Sequence, residues 1–181
     1  MSSARNRFVG HLPAGGRILD LGCGSGRDSS AFMKMGFDVV PIDGSEGMCR
    51  EAERNTGLKV RRLLFEELDY QNEFDGVWAC SSLLHLPSDR IPAVFRLIKR
   101  SLKQDGIFFT CFKKGDFEGI RPDGRYYTDM EYNVFRAVLL SSGFEPLEIW
   151  ESDGSAGETW LNSINSAEKP CKTTEKRSDS P

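Results

Sequence analysis

The chain lacks the features that would send it to a membrane or to a metal. No apolar run approaches the roughly 18 residues that cross a bilayer, and the opening "MSSARNRFVGHLP" has no hydrophobic signal core. A membrane partner is therefore not expected. Only two histidines are present, His11 and His85, so a histidine-rich metal site is not expected. The five cysteines (Cys23, Cys49, Cys80, Cys111, Cys171) are an odd, scattered set without a C-x-x-C pair. That pattern argues for reduced thiols and a cytoplasmic location, and against zinc or any other metal. A basic excess is also missing. The net charge of −3 speaks against a protein that grips a phosphate backbone.

What remains is the composition of a globular domain, with 39% apolar and 28% charged residues in 181. That length fits one domain with layers on both faces of a sheet. Apolar strands alternate with amphipathic helices. "RILDL" (17–21), "FDVVPID" (37–43), "KVRRLLF" (59–65), "FDGVWAC" (74–80), "GIFFTCF" (106–112) and "FEPLEIW" (144–150) read as strands, and "TWLNSI" (159–164) as a short seventh. Helices are expected over 28–35, over 46–56 with Gly57 as its C-terminal cap, and over 90–102. "TDME" (128–131) has the form of a capping box, Thr128 with Glu131, opening a helix to about Ser142. The polar-aromatic stretch "RPDGRYYTD" reads as a loop. Residues 1–165 would form the domain. Residues 166–181, "SAEKPCKTTEKRSDSP", lack apolar periodicity and are expected to be a disordered tail.

Alternating strands and helices predict an α/β fold: a mostly parallel sheet covered on both faces, with ligands beyond the carboxyl ends of its strands. There stands "ILDLGCGSGRD" (18–28), with Gly22, Gly24 and Gly26 at every second position between a strand and a helix. Such a turn brings a ligand against bare backbone. It fails the G-x-G-x-x-G dinucleotide fingerprint, because position 27 is Arg and the third glycine is Gly26. Asp20 and Asp28 flank the loop and suit an amine-bearing ligand better than a pyrophosphate. Asp43 ends the second strand, where an acid can accept both hydroxyls of a ribose. It could instead cap the following helix, although Ser45 suits that task equally well.

Together these segments resemble the class I S-adenosylmethionine-dependent methyltransferases. "ILDLGCGSGRD" resembles their first motif and "VVPIDGSEGM" their second. "FDGVWACSSLLHL", "LKQDGIFFTCF" and "SGFEPLEIW" resemble the fourth-strand, fifth-strand and late G-F motifs. "GSGRDS" with "SLLHLP" resembles the small bacterial methyltransferases grouped with tellurite-resistance proteins. The resemblance covers about residues 15–165. It implies a Rossmann-like, doubly wound, mostly parallel seven-stranded sheet whose last strand is antiparallel, with S-adenosyl-L-methionine as cofactor. Gly22, Gly24 and Gly26, with Cys23 shaping the turn and Asp28 after it, would carry the methionine half. Asp20 would orient its amino group and Asp43 the ribose. Gly44, Ser45 and Met48 would border the adenine, and Phe65 and Glu66 would lie at its edge, where many relatives carry an Asp near Leu64. The backbone of Cys80 and Ser81 would face the sulfonium, with Leu84 and His85 closing the wall towards the acceptor. Relatives also carry a helix or two before the first motif as a lid, for which "SSARNRFVGHL" would be a reduced version.

Methyl transfer from a sulfonium is an in-line displacement that rests on positioning. A base is needed only when the acceptor must lose a proton. His85 is the imidazole available for that, unless it is a structural turn residue. Arg125 and Tyr126 lie where a substrate would be gripped. Lys113 and Lys114 read as solvated. The expected partner is a small-molecule acceptor (a thiol, chalcogen, oxygen or nitrogen nucleophile), taken by a monomer or homodimer. A tRNA methyltransferase is the alternative reading. A further alternative is an inactive cofactor-binding or partner-dependent subunit.

Overall fold

The computed structural model describes residues 2–167. Five helices, α1 (Ser2–Val9), α2 (Arg27–Lys34), α3 (Glu46–Thr56), α4 (Ile91–Ser101) and α5 (Tyr132–Ser141), surround two sheets. The large sheet holds β1 (Arg17–Leu21), β2 (Asp38–Asp43), β3 (Arg61–Arg62), β4 (Phe74–Ala79), β5 (Leu102–Lys113), β8 (Glu145–Asp153) and β9 (Thr159–Ser166). Their order is β3-β2-β1-β4-β5-β9-β8. Pairing is parallel from β3 to β5, and β9 runs antiparallel to both of its neighbours. This is the Rossmann-like, doubly wound sheet, with its last strand reversed. A small hairpin, β6 (Glu118–Ile120) with β7 (Tyr126–Thr128), stands apart.

The strands are apolar on both sides because helices cover both faces. On one face Phe95 of α4 meets Phe108 of β5 at 5.2 Å, and Phe108 meets Phe144 at 4.9 Å. On the other, Trp78 stacks on Phe109 at 3.9 Å and packs against Phe8 of α1 and Phe32 of α2. Such aromatic pairs each contribute about 0.5–1.5 kcal/mol beyond the area they bury. Helix α1 reaches the sheet because Gly76 has no side chain: a Cβ there would lie 2.6 Å from the Phe8 ring. Among the described residues no helix is long and apolar enough to cross a membrane.

Three local expectations are corrected. The third strand pairs only at Arg61 and Arg62. Leu64 then turns out into a single 3-10 turn, Phe65–Glu67, whose Glu67 carboxylate accepts the Leu64 N–H at 3.0 Å. An edge strand has one neighbour, so this local bond replaces the ladder. "RYYTD" is no loop: it supplies β7. Thr128 caps nothing, since its hydroxyl is buried and donates to the Leu86 carbonyl at 2.7 Å, and α5 starts after Glu131 without a side-chain cap. Strand β9 carries the fold through Ser166, and the rest of the expected tail, 168–181, lies outside the described residues.

Candidate active site

Strand β1 is flanked by β2 and β4, so the chain reverses its direction of travel across the sheet there. Loops leaving such a switch point diverge and open a crevice. Two connected cavities occupy it. The larger, about 720 Å³, runs from Asp43, Met48 and Leu64 to His85, Arg90 and Arg125. The smaller, about 230 Å³, is walled by Asp20, Cys23, Arg27, Asp28 and Cys80. They share Gly22, Gly24 and Ser81.

All three loop glycines have positive φ, between 54° and 80°, yet each lacks a side chain for a different reason. A Cβ on Gly22 would stand 2.5 Å from Ser82 Cβ, under the loop. One on Gly26 would stand 2.6 Å from Thr56 Cγ2 on α3. Gly26 lines neither cavity, and its bareness serves helix packing. Only at Gly24 is there nothing within 4 Å: the free space there is the cavity.

Asp43 binds the loop to the next turn. Its carboxylate accepts the Gly24 N–H at 2.9 Å and the Ser45 N–H at 2.8 Å. Ser45 is the N-cap of α3, accepting the Met48 N–H at 3.4 Å. A Cβ on Gly44 would stand 3.0 Å from Leu64 Cδ2, a tight contact that the exposed Leu64 side chain would have to relieve. Phe65 and Glu66 line the larger cavity, with Glu66 3.5 Å from Arg90.

Asp20 and Asp28 differ sharply although both are buried. Burial pushes the Asp20 carboxyl up to about 7, against a 2.5 Å hydrogen bond from Ser29 Oγ, and the Asp28 charge adds to the rise. Burial works against Asp28 too, but hydrogen bonds from Arg27 and Trp78, with the charges of Arg27 and Arg5, win and lower its pKa. Arg5 of α1 reaches Asp28 at 2.6 Å. Asp28 thus stays ionised on the wall of the smaller cavity and anchors the first helix. Cys23 is inert, since burial and then the nearby Asp20 and Asp43 push its thiol up.

On the far wall, His85 Nδ1 lies 2.8 Å from the Tyr126 carbonyl. A carbonyl only accepts, so Nδ1 carries the hydrogen and Nε2 keeps its lone pair. The ring meets Tyr127 edge-on at 4.7 Å. Burial and the charges of Arg125 and Lys113 lower the His85 pKa, outweighing the Tyr126 bond and Asp123, so the ring is neutral at pH 7. Arg125 lines the larger cavity and is held by Asp123 at 2.7 Å. The Tyr126 side chain lines neither cavity; its hydroxyl donates to Glu118 at 2.8 Å, and only its carbonyl serves the site. Leu84 is buried in the core rather than in the wall. Lys113 lies over the Tyr127 and Trp160 rings, while Lys114 pairs with Glu151 at 2.7 Å. Ser82 and Arg90 also line the larger cavity, and no sequence signal marks either: Arg90 stands at the start of the amphipathic helix α4, where nothing in its spacing distinguishes it.

Residues 18–106 match the model of a family described as a methyltransferase domain. The chain carries a class I S-adenosylmethionine-dependent methyltransferase domain. Over 146 residues it is 36% identical to a putative methyltransferase, YqeM, of Bacillus subtilis, covering 76% of this chain and 59% of that protein. Over 95 residues it is 41% identical to a ubiquinone biosynthesis O-methyltransferase of Dechloromonas aromatica, covering 48% of this chain and 41% of that one. The chain thus spans between two fifths and three fifths of these relatives' lengths. Among solved structures, the 1,6-didemethyltoxoflavin-N1-methyltransferase of Burkholderia thailandensis, with S-adenosylhomocysteine bound, superposes with a TM-score of 0.79 at 24% identity, over 91% of this chain and 76% of that one. The crevice fits the cofactor of this family. Bare Gly24 opens onto it, and buried Asp20 lines its narrow end, where an amino group would favour the ionised carboxylate.

Proposed function

We propose that the chain methylates a small-molecule nucleophile that must lose a proton as it reacts. The observation that carries this reading is His85, neutral and fixed by the Tyr126 carbonyl, on the wall of the cavity that also holds the glycine loop. S-adenosylmethionine supplies the electrophilic methyl, transferred in line from sulfur to the acceptor. Gly24 leaves room for the methionine half, and Asp20 holds its amino group at the narrow end. Asp43 keeps the loop on β2 and offers its remaining lone pairs to the ribose hydroxyls. Met48, Leu64 and Phe65 give the adenine an apolar bed. His85 Nε2 takes the acceptor proton, and Arg125 at the mouth orients a polar acceptor group.

The nearby named proteins support a small acceptor: one is a ubiquinone-biosynthesis O-methyltransferase, and another holds 1,6-didemethyltoxoflavin. Calorimetric titration with S-adenosylhomocysteine tests the donor half, with binding expected; no heat would overturn it. A screen of phenols, amines, thiols and oxyanions with labelled cofactor tests the acceptor half. Turnover only of soft thiols, insensitive to His85→Gln, would remove the base from the mechanism.

A further inference from the structure

Two thiols that methyl transfer does not require meet near the junction of the cavities. The β4–β5 register sets Trp78 beside Phe109 and Ala79 beside Thr110, so the next positions, Cys80 and Cys111, are neighbours. Adjacent strands lie about 4.8 Å apart, inside the roughly 4.4–6.8 Å Cα separation that a disulfide spans. Both residues are thiols in this structure, and they hydrogen-bond to each other. That bond raises the Cys80 pKa, with burial adding, and works against the effect of burial on Cys111. Cys111 is fully buried, while Cys80 is half-buried and lines the smaller cavity, which gives a small oxidant a path to the pair.

The pair also holds the backbone of the site. Ser81 has φ of 54°, a left-handed conformation uncommon for a residue with a side chain. Its N–H donates to Cys111 Sγ at 3.2 Å, and Ser81 lines both cavities. A change at Cys111 sulfur is therefore felt at the cavity junction.

We propose that Cys80 and Cys111 form an oxidative modification site: a hydroperoxide joins them as a disulfide that disables the cofactor cavity, and bound cofactor shields them. The proposal rests on this crevice being the cofactor site. Cys80, the member that lines the cavity, gives up its proton and its sulfur attacks the peroxide; the O–O bond breaks, a sulfenic acid forms and one water leaves. The second thiol then attacks that sulfur, the S–S bond forms and a second water leaves. Two thiols lose two electrons and two protons, and hydrogen peroxide becomes two waters. Once bridged, Cys111 sulfur no longer serves as the acceptor that holds Ser81.

The test treats the full chain with hydrogen peroxide, alkylates the remaining thiols and maps the peptides by mass spectrometry. A linked peptide carrying Cys80 and Cys111 is expected, and saturating S-adenosylhomocysteine should slow its formation. Calorimetry of the oxidised chain should show affinity for S-adenosylhomocysteine reduced at least about tenfold, restored by dithiothreitol. In Cys111→Ser, whose hydroxyl can still accept from Ser81, peroxide should leave that affinity unaltered. A link between Cys23 and Cys49, terminal oxidation without a bridge, or a bridged chain that binds as well as the reduced one would each overturn the proposal. So would loss of affinity in peroxide-treated Cys111→Ser. A reduced chain that takes no S-adenosylhomocysteine overturns the cofactor reading, and with it the functional half of this one; the linked peptide is scored independently.

Discussion

The two walls of the crevice are built by different means. On the donor wall, the glycine loop and Asp43 leave neighbouring parallel strands, and backbone N–H groups of Gly24 and Ser45 each donate to one oxygen of the Asp43 carboxylate. On the acceptor wall, the β6–β7 hairpin is tied down by side-chain bonds near the surface: Arg125 to Asp123, Tyr126 to Glu118, and the Ser88 N–H to Glu118. Exposed ion pairs contribute only about 0–1 kcal/mol each. The donor wall is thus fixed by the sheet itself, whereas on the acceptor wall Tyr127 and Thr128 are buried anchors and only the exposed residues, Arg125 among them, can change without disturbing the fold. Loops that carry specificity are commonly arranged this way on a rigid scaffold.

Substitutions can break this contrast. The largest effect is expected from Gly22→Val. Its Cβ would collide with Ser82 in a left-handed turn, costing about 3–5 kcal/mol from overpacking and backbone strain. Gly24→Ala, with open space ahead, should cost only about 1–2 kcal/mol, from its backbone conformation. Denaturant titration of both separates a packed glycine from a ligand-facing one, and equal losses would erase the distinction.

On the acceptor wall, His85→Gln should lower turnover by about 10²–10⁴ while leaving S-adenosylhomocysteine affinity nearly intact. The wild-type rate should rise with pH through a value below 6.5, because the active form is the neutral ring, and should be flat above it. The variant should lose that limb, and a retained limb would assign the base elsewhere. Asp43→Ala should weaken cofactor affinity at least about tenfold with the fold intact, since it removes a ribose acceptor and the tie to the loop. Unchanged affinity would leave Asp43 a purely structural role.

A smaller effect concerns Asp20. It ionises near 3.8 when unfolded and near 7 when folded, so its contribution to stability is full below about pH 4 and is lost as pH rises to about 7. Asp20→Asn, which can still accept from Ser29, should flatten that fall in the melting temperature and weaken cofactor binding. An unflattened profile would place the titration on another group. Tyr126→Phe should change turnover less than about twofold, because only its carbonyl faces His85 and one exposed bond is lost. A large loss would return its hydroxyl to the chemistry.

Much of the donor wall was legible in the sequence because it is local. The loop, its flanking acids and Asp43 sit at the ends of consecutive strands, where spacing and residue type suffice. The different roles of Gly22, Gly24 and Gly26 were not legible, because Ser82, Thr56 and Ala52, which distinguish them, come from elsewhere in the chain. Asp20 and Asp28 read alike largely for the same reason: besides the adjacent Arg27, the groups that keep Asp28 ionised, Trp78 and Arg5, lie 50 and 23 residues away.

The sequence by itself determined the strand–helix alternation, the glycine turn and the acid that closes it, since backbone period and steric freedom act over a few residues. Tertiary structure alone decided that "RYYTD" folds into a hairpin and that a carbonyl in it sets the tautomer of His85, 41 residues away. It alone set Cys80 beside Cys111, because strand neighbours are chosen by sheet topology, which no local pattern encodes.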